Sequence, residues 1–110
     1  HQWIHVDVER AQNGPFGGPI AHGFLTLSLL PQFFDKTVNV VEKSMGVNYG
    51  LNKVRFMAPV LVGSRLRGHL HLHSATPIEG GLQIQWNVTV EREGSDKPVC
   101  VAESLARIYA

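Results

Sequence analysis

The last two thirds of the chain alternate apolar and polar residues with a period of two, and this pattern constrains the fold most. Its clearest stretch, residues 82–91, has apolar residues at the even positions: Leu82, Ile84, Trp86, Val88 and Val90. Because successive residues of a strand point to opposite faces, this stretch predicts a β-strand with one buried and one polar face. Related patterns predict strands over residues 46–58, 64–74 and 98–109.

An apolar segment with helical spacing precedes these strands. Residues 20–34 carry apolar side chains on all sides of a helical projection, which predicts a buried helix. Pro31 predicts a kink, with the helix ending between residues 30 and 36. Asp7 is suited to cap an earlier short helix, which residues 13–15 (Asn-Gly-Pro) would end. Helices followed by antiparallel strands indicate an α+β fold, with a long sheet packed around one buried helix.

Size and composition favour one domain over residues 1–110. The chain is 44% hydrophobic and 17% charged, which is typical of a globular protein. A net charge of +1 lacks the positive field of a nucleic-acid-binding protein, so no nucleic-acid partner is expected. No apolar run reaches the roughly 18 residues of a membrane span, so no membrane association is expected. The lone cysteine, Cys100, cannot form an internal disulfide and favours a reducing, cytoplasmic compartment.

The residues best suited to chemistry lie before the predicted buried helix. His5 and His22 flank a glycine-rich segment, and Gly23 follows. The start of a helix presents unpaired amides that suit an oxyanion, and glycine lets a carbonyl approach the backbone closely. A neutral imidazole at His5 can take a proton from water. A His-Gly pair before a helix is more often a capping or turn feature, so spacing alone leaves the function open.

These residues together resemble a known family. The runs His5-Val6-Asp7 and Phe16-Gly17-x-x-Ile20-Ala21-His22-Gly23 resemble the hydratase 2 motif of the MaoC-like dehydratases, the (R)-specific enoyl-CoA hydratases. The resemblance extends through residues 48–56 and the segment Pro59-Val60-x-x-Gly63, and it is closest to short bacterial members with a single hot-dog domain. It implies the hot-dog fold, a long antiparallel sheet wrapped around a central buried helix.

The resemblance also implies a reaction. Water would add reversibly to trans-2-enoyl-CoA to give (R)-3-hydroxyacyl-CoA, without a metal or redox cofactor. His5 would act as the base on water, and the Gly23 amide would stabilise the enolate-like thioester oxygen. The family's catalytic Asp aligns one position before His1, so the N-terminal part of the domain is expected to lie outside the sequence. Gln2 and Trp3 stand where the family commonly has Asn-Pro.

Five further residues are candidates for binding the acyl-CoA thioester. Phe24 would line an acyl tunnel beside the buried helix, and His22 would orient the loop or the helix start. Asn52 would hydrogen-bond the substrate or the catalytic loop, and Lys53 and Arg55 would meet the phosphates of coenzyme A. Each is also compatible with an ordinary structural or solvent-exposed role.

A histidine triplet is the strongest alternative site. His69, His71 and His73 project from one face of a predicted strand. Adjacent members are about 6–7 Å apart along the strand, too far for all three to converge on one metal ion without a bend. We therefore expect no metal site and interpret this face as solvated or part of an interface. Polar sheet faces of this kind often pair with a second copy, which predicts a homodimer.

Two other functions remain open from the sequence. A hot-dog acyl-CoA thioesterase would share the architecture and substrates, but it would release free thiol without hydration. A non-catalytic module would bind acyl thioesters without consuming them. The motif around His5 and Gly23 favours the hydratase over both.

Overall fold

The computed structural model describes residues 2–39 and 45–110. Within these residues, short helices lead into long strands. The elements are α1 (Trp3–Val6), α2 (Val8–Gln12), α3 (Gly23–Leu27), α4 (Leu30–Thr37), β1 (Met45–Phe56), β2 (Leu66–Ile78), β3 (Gly81–Arg92) and β4 (Cys100–Tyr109). This arrangement confirms the predicted α+β class and each predicted strand, with shifts at the strand ends.

The strands form one antiparallel sheet in the order β1-β4-β3-β2. One row across it runs from Phe56 through Cys100 and Val90 to Gly68, and residues paired in this way share a face. Cys100 and Val90 are fully buried, so this face lies against the helices. The period-two pattern therefore predicted the buried face of β3 correctly.

Strand β2 is longer than its sequence pattern indicated. It continues past the predicted end at residue 74 to Ile78, which pairs with Gly81, so residues 79 and 80 alone connect it to β3. Gly80 has φ +80°, a conformation that favours glycine in a tight hairpin. Pro77 is tolerated inside the strand because β2 is an edge of the sheet, where a missing N–H need not interrupt pairing.

The prediction of one helix over residues 20–34 is wrong, because this segment contains an extended part and two separate helices. Residues 20 and 21 are held as extended chain, because Ile20 pairs with Leu61 and the Ala21 amide donates to the Val60 carbonyl at 2.7 Å. Helix α3 ends at Leu27, and α4 begins at Leu30. Pro31 lies in the first turn of α4, where no N–H is needed, so it helps to start a second helix instead of kinking one.

The helices are not buried on all sides, which corrects the expected central buried helix for this single chain. Thr26 and Leu30 are buried, but Phe24 is 78% exposed and Leu25 is 56% exposed. Only one side of α3 and α4 packs on the sheet. The core beneath them consists of Leu30, Val60, Val88, Val90, Val99, Cys100 and Ala102.

The N-terminal helices differ in how well the sequence predicted them. The Asp7 carboxylate accepts a hydrogen bond from the Arg10 amide at 3.0 Å and caps α2, as expected. Helix α1 was not predicted, since its four residues are too few to show periodicity, yet it carries His5. None of the helices in the described part of the chain combines the length and apolarity needed to cross a membrane.

Candidate active site

The segment before α3 is held by backbone hydrogen bonds on both sides. The Ile20 amide donates to the Ile4 carbonyl of α1 at 2.8 Å, and the next amide, that of Ala21, donates to Val60. Glycine at 17 (φ +76°) allows the loop to turn back toward α1. These contacts bring His5 of α1 beside His22, which lies seventeen positions later in the chain.

The imidazole of His5 has a defined orientation. Its Nδ1 lies 2.8 Å from the Ile20 carbonyl oxygen, and the side chain is partly buried. A carbonyl oxygen can only accept, so Nδ1 carries the proton and donates it. In the neutral ring, Nε2 is then the atom with the free lone pair, which is the form a general base requires.

His22 contacts His5 through its ring. The two ring centroids are 3.9 Å apart with planes at 26°, a stacked arrangement. His22 is also the N-cap residue of α3, and its carbonyl accepts from the Thr26 amide at 3.2 Å, but its side chain makes no capping hydrogen bond. The side chain therefore supports one face of the His5 ring. The expected role of His22, to orient the loop before α3 or the helix start, stays a prediction.

Gly23 begins α3, where the first amides of a helix have no intrahelical acceptor. Because α3 has five residues, its dipole is small, and the individual N–H groups matter more than the helix as a whole. A Cβ built on Gly23 would lie 3.1 Å from two ring carbons of Phe56. The approach of the Phe56 ring therefore favours glycine at this position.

A cavity of 320 Å³ connects these groups. Its wall is mainly apolar, and among the described residues His5 is the one ionisable residue that lines it. The lining residues include His5, Gly23, Thr26, Phe56, Val60 and Val99. The structure thus brings His5 and Gly23 to one cavity in which a base and a backbone donor can act on the same small molecule.

A second, larger cavity of 670 Å³ lies beside α3 and α4. Its lining includes Phe24, Leu27, Phe34, Trp86, Ser104 and Ala106. The two cavities have no lining residue in common in the described part of the chain, but Phe24 on the wall of the larger one directly follows Gly23. The sequence analysis expected Phe24 to line an acyl tunnel, and Phe24 does line this cavity, although its binding of an acyl chain stays a prediction. The size of the cavity depends on how far α4 stands from β1 and β4.

Three of the predicted substrate-binding residues lie elsewhere. Lys53 and Arg55 pair with residues 103 and 101 of β4, which alternate with the buried Ala102, so both lie on the sheet face away from the helices. Asn52 donates from Nδ2 to Gln85 Oε1 at 3.4 Å, and all three candidates are exposed. The structure does not bring them to the cavity of His5, and their proposed contacts with coenzyme A stay predictions.

The histidines of β2 have separate neighbours. His69 Nε2 lies 3.0 Å from Glu91 Oε1, and His73 Nδ1 lies 3.4 Å from Asn87 Nδ2. Hydrogen bonds from His69 and then Arg67 hold the pKa of Glu91 below its ordinary value. Within residues 2–39 and 45–110, no three potential ligands form a group that could hold a metal ion.

Comparison with known proteins decides the family. The MaoC-like domain matches residues 1–93 of the chain. The chain belongs to the MaoC-like dehydratase family. It is 54% identical over 111 residues to 3-hydroxyacyl-thioester dehydratase Z of Mycobacterium tuberculosis, a match that covers all of this chain and 74% of that protein. It is 50% identical over 112 residues to nodulation protein N of Rhizobium leguminosarum bv. viciae, covering 98% of this chain and 69% of that protein.

Comparison with solved structures supports the same fold. A monoamine oxidase regulatory protein from Archaeoglobus fulgidus superposes with a TM-score of 0.82 at 26% identity, over 99% of this chain and 72% of that one. The (R)-hydratase from A. caviae involved in PHA biosynthesis gives 0.76 at 19% identity, over 96% of this chain and 74% of that one. The predicted hot-dog fold is thereby confirmed, and the family assignment identifies the chain as an enzyme of the hydro-lyase class.

The contact between Gly23 and Phe56 generates a stability prediction. Gly23→Ala should cost about 1 kcal/mol of unfolding free energy, because the new Cβ displaces an aromatic ring. In a Phe56→Leu background the Cβ has room, so the same change should be neutral or slightly stabilising through helix propensity. Denaturant unfolding of the wild type, the two single variants and the double variant gives the coupling free energy between positions 23 and 56. We expect it to be roughly 1 kcal/mol.

Gly50→Ala provides the matched control for this cycle, because a Cβ at Gly50 meets nothing within 4 Å. Its effect should add to that of Phe56→Leu with a coupling below about 0.5 kcal/mol. If both glycines show the same coupling free energy with Phe56→Leu, the Phe56 ring is not the reason for glycine at position 23.

Proposed function

We propose that this MaoC-like protein is an (R)-specific enoyl-CoA hydratase, which adds water reversibly to trans-2-enoyl-CoA to give (R)-3-hydroxyacyl-CoA. The observation that carries the proposal is the orientation of His5. Its Nδ1 is occupied by the Ile20 carbonyl, so Nε2 is the basic atom at a cavity that Gly23 also lines. The names of the relatives, a 3-hydroxyacyl-thioester dehydratase and an (R)-hydratase, support the same reaction class.

The chemistry follows from these two groups. His5 Nε2 takes a proton from water while the water oxygen forms a bond to C3 of the enoyl thioester. The electron pair of the C2–C3 double bond moves onto the thioester oxygen, where the Gly23 amide donates a hydrogen bond. When the carbonyl re-forms, C2 takes a proton from the acid that the family resemblance assigns immediately before His1. The proton on His5 then passes to that acid, which restores both groups for the next turnover. We propose that no metal or redox cofactor takes part.

The two groups act through effects of known size. A positioned base contributes about 10²–10⁴-fold, and one oxyanion donor contributes about 10²–10³-fold. The mostly apolar wall of the cavity favours both effects, since few protein groups there compete for the same hydrogen bonds.

We assign the larger cavity to the acyl chain. Its wall is mostly apolar, and it begins beside Phe24, the residue next to the proposed oxyanion donor. A thioester carbonyl at Gly23 would therefore have its acyl chain directed past Phe24 toward Leu27 and Phe34. The volume of this cavity then limits the chain length that the enzyme accepts.

His5→Ala tests the proposal directly. We expect kcat/KM for hydration of a short trans-2-enoyl-CoA to fall by about 10²–10⁴-fold with the fold intact, because the base is lost. The assay uses a protein that includes the residues preceding His1 and identifies the product enantiomer on a chiral column. His71→Ala is the matched control, since His71 is exposed on the opposite side of the sheet from the helices.

The assay also separates the alternative functions. A fully active His5→Ala variant contradicts the proposed base. Release of free thiol without hydration would identify a thioesterase, and binding of the thioester without turnover would identify a binding module.

Ala106→Leu tests the acyl cavity. Ala106 lines it, so the larger side chain should lower kcat/KM for long enoyl chains by about tenfold or more and leave a four-carbon substrate nearly unchanged. Ala75→Leu, on the exposed part of β2, is the matched control. An equal loss for short and long substrates would exclude this cavity as the acyl site.

We further propose that the enzyme is a homodimer that pairs through the free edge of β1. We also propose a cytoplasmic location, where the buried thiol of Cys100 stays reduced. Strand β1 exposes several large apolar side chains: Met45, Val47, Tyr49, Leu51 and Phe56. On the other edge strand, β2, Leu72 is the exposed large apolar residue among those described. A long edge strand with exposed apolar side chains tends to associate with another chain. A second copy of this protein would pair with its free backbone groups and cover those side chains.

Sedimentation equilibrium should give twice the mass of one chain. Val47→Lys should weaken this association, because an edge lysine opposes strand pairing. Leu72→Lys, the matched change on the other edge, should leave the dimer intact. A monomer at micromolar concentration, or equal effects of the two variants, would contradict pairing through β1.

A further inference from the structure

The side chain of Gln2 contacts the reactive nitrogen of the proposed base. Gln2 Oε1 lies 3.1 Å from His5 Nε2, within hydrogen-bond distance. The other ring nitrogen is already committed to the Ile20 carbonyl at 2.8 Å. Gln2 is exposed, so the contact is open to exchange with water. The mechanism proposed above uses Nε2 but gives Gln2 no role.

The chemistry of the two groups restricts what this contact can be. In the neutral ring, Nδ1 donates to Ile20 and Nε2 has only a lone pair, so Nε2 and a carbonyl oxygen would both be acceptors. A hydrogen bond then requires the Gln2 amide to turn so that its NH₂ donates to Nε2. In the charged ring, Nε2 carries a proton and donates to Oε1 in the orientation observed. A primary amide can serve both states through rotation about its terminal torsion.

We propose that Gln2 is a positioning residue that follows the protonation state of His5. Its NH₂ holds the neutral ring before water binds, and its Oε1 accepts from Nε2–H after the proton has moved from water to the ring. This inference rests on the proposed function, since it takes His5 as the base. A glutamine suits the role because it is uncharged and therefore favours neither state by an electrostatic bias.

In the described part of the chain, few other charged groups lie close enough to affect the protonation state of His5. The residues that share the cavity wall with His5 are uncharged. His22 is the titratable neighbour in contact, through ring stacking at 3.9 Å. The Asp7 carboxylate accepts from the Arg10 amide at the start of α2. The acid that the family resemblance assigns before His1 is unchanged by substitutions at Gln2.

Gln2→Glu supplies the sharpest test. A carboxylate facing Nε2 favours the charged ring, so the base form appears at higher pH. We expect the acidic limb of the pH profile of kcat/KM to move up by about one pH unit, with the larger loss of activity below neutral pH. NMR titration of the His5 ring without substrate should show the same upward movement. Gln12→Glu, an exposed glutamine in α2, adds the same charge and should move neither profile.

Gln2→Met keeps the length of the side chain but removes the amide. Because the imidazolium loses its acceptor, we expect kcat to fall about tenfold with KM within twofold, the size of one lost hydrogen bond. An acidic limb that does not move in Gln2→Glu, or an unchanged kcat in Gln2→Met, would overturn the role of Gln2. If His5→Ala remains active, the proposed function fails as well; if it is inactive while both Gln2 variants behave as wild type, only the inference about Gln2 fails.

Discussion

The backbone of Ile20 is the point on which the candidate site depends. Its amide donates to the Ile4 carbonyl, and its carbonyl accepts from the His5 ring, both at 2.8 Å. Ile20 also pairs with Leu61, so it is attached to α1 on one side and to the loop after Pro59 on the other. One residue thus fixes where His5 lies and which of its ring nitrogens is basic. Backbone groups suit this purpose, because their donors and acceptors do not depend on pH.

Two contacts between a glycine and an aromatic ring determine how closely the helices approach the sheet. At Gly23 of α3, the ring of Phe56 from β1 occupies the space of a side chain. At Gly68 of β2, the ring of Phe33 from α4 would lie 2.7 Å from a Cβ. The helix supplies the glycine in one contact, and the sheet supplies it in the other. Together they hold the start of α3 and the body of α4 against the core formed by Val88, Val90 and Cys100.

The sequence predicted the strands better than the helices for a physical reason. A strand buried on one face shows its period within a few residues, as β3 does. The apolar segment over 20–34 contains an extended part, a short helix and a second helix, and all three are rich in apolar residues. Only the pairing of Ile20 with Leu61 and the position of Pro31 at the start of α4 separate them. Similarly, β1 has irregular register between Asn48 and Gly50 and between Leu51 and Lys53, so alternation could not show which face Asn52 and Lys53 occupy.

The sequence by itself determined the class of fold, the order of the strands along the chain and the motif that joins His5 to Gly23, because these depend on local periodicity and residue type. The tertiary structure decided which groups meet. It stacked His22 on His5, committed Nδ1 of His5 to Ile20, brought Gln2 to Nε2 and opened a second cavity beside Phe24. These contacts join parts of the chain through backbone pairing and packing, whose geometry depends on distances between elements that no local pattern contains.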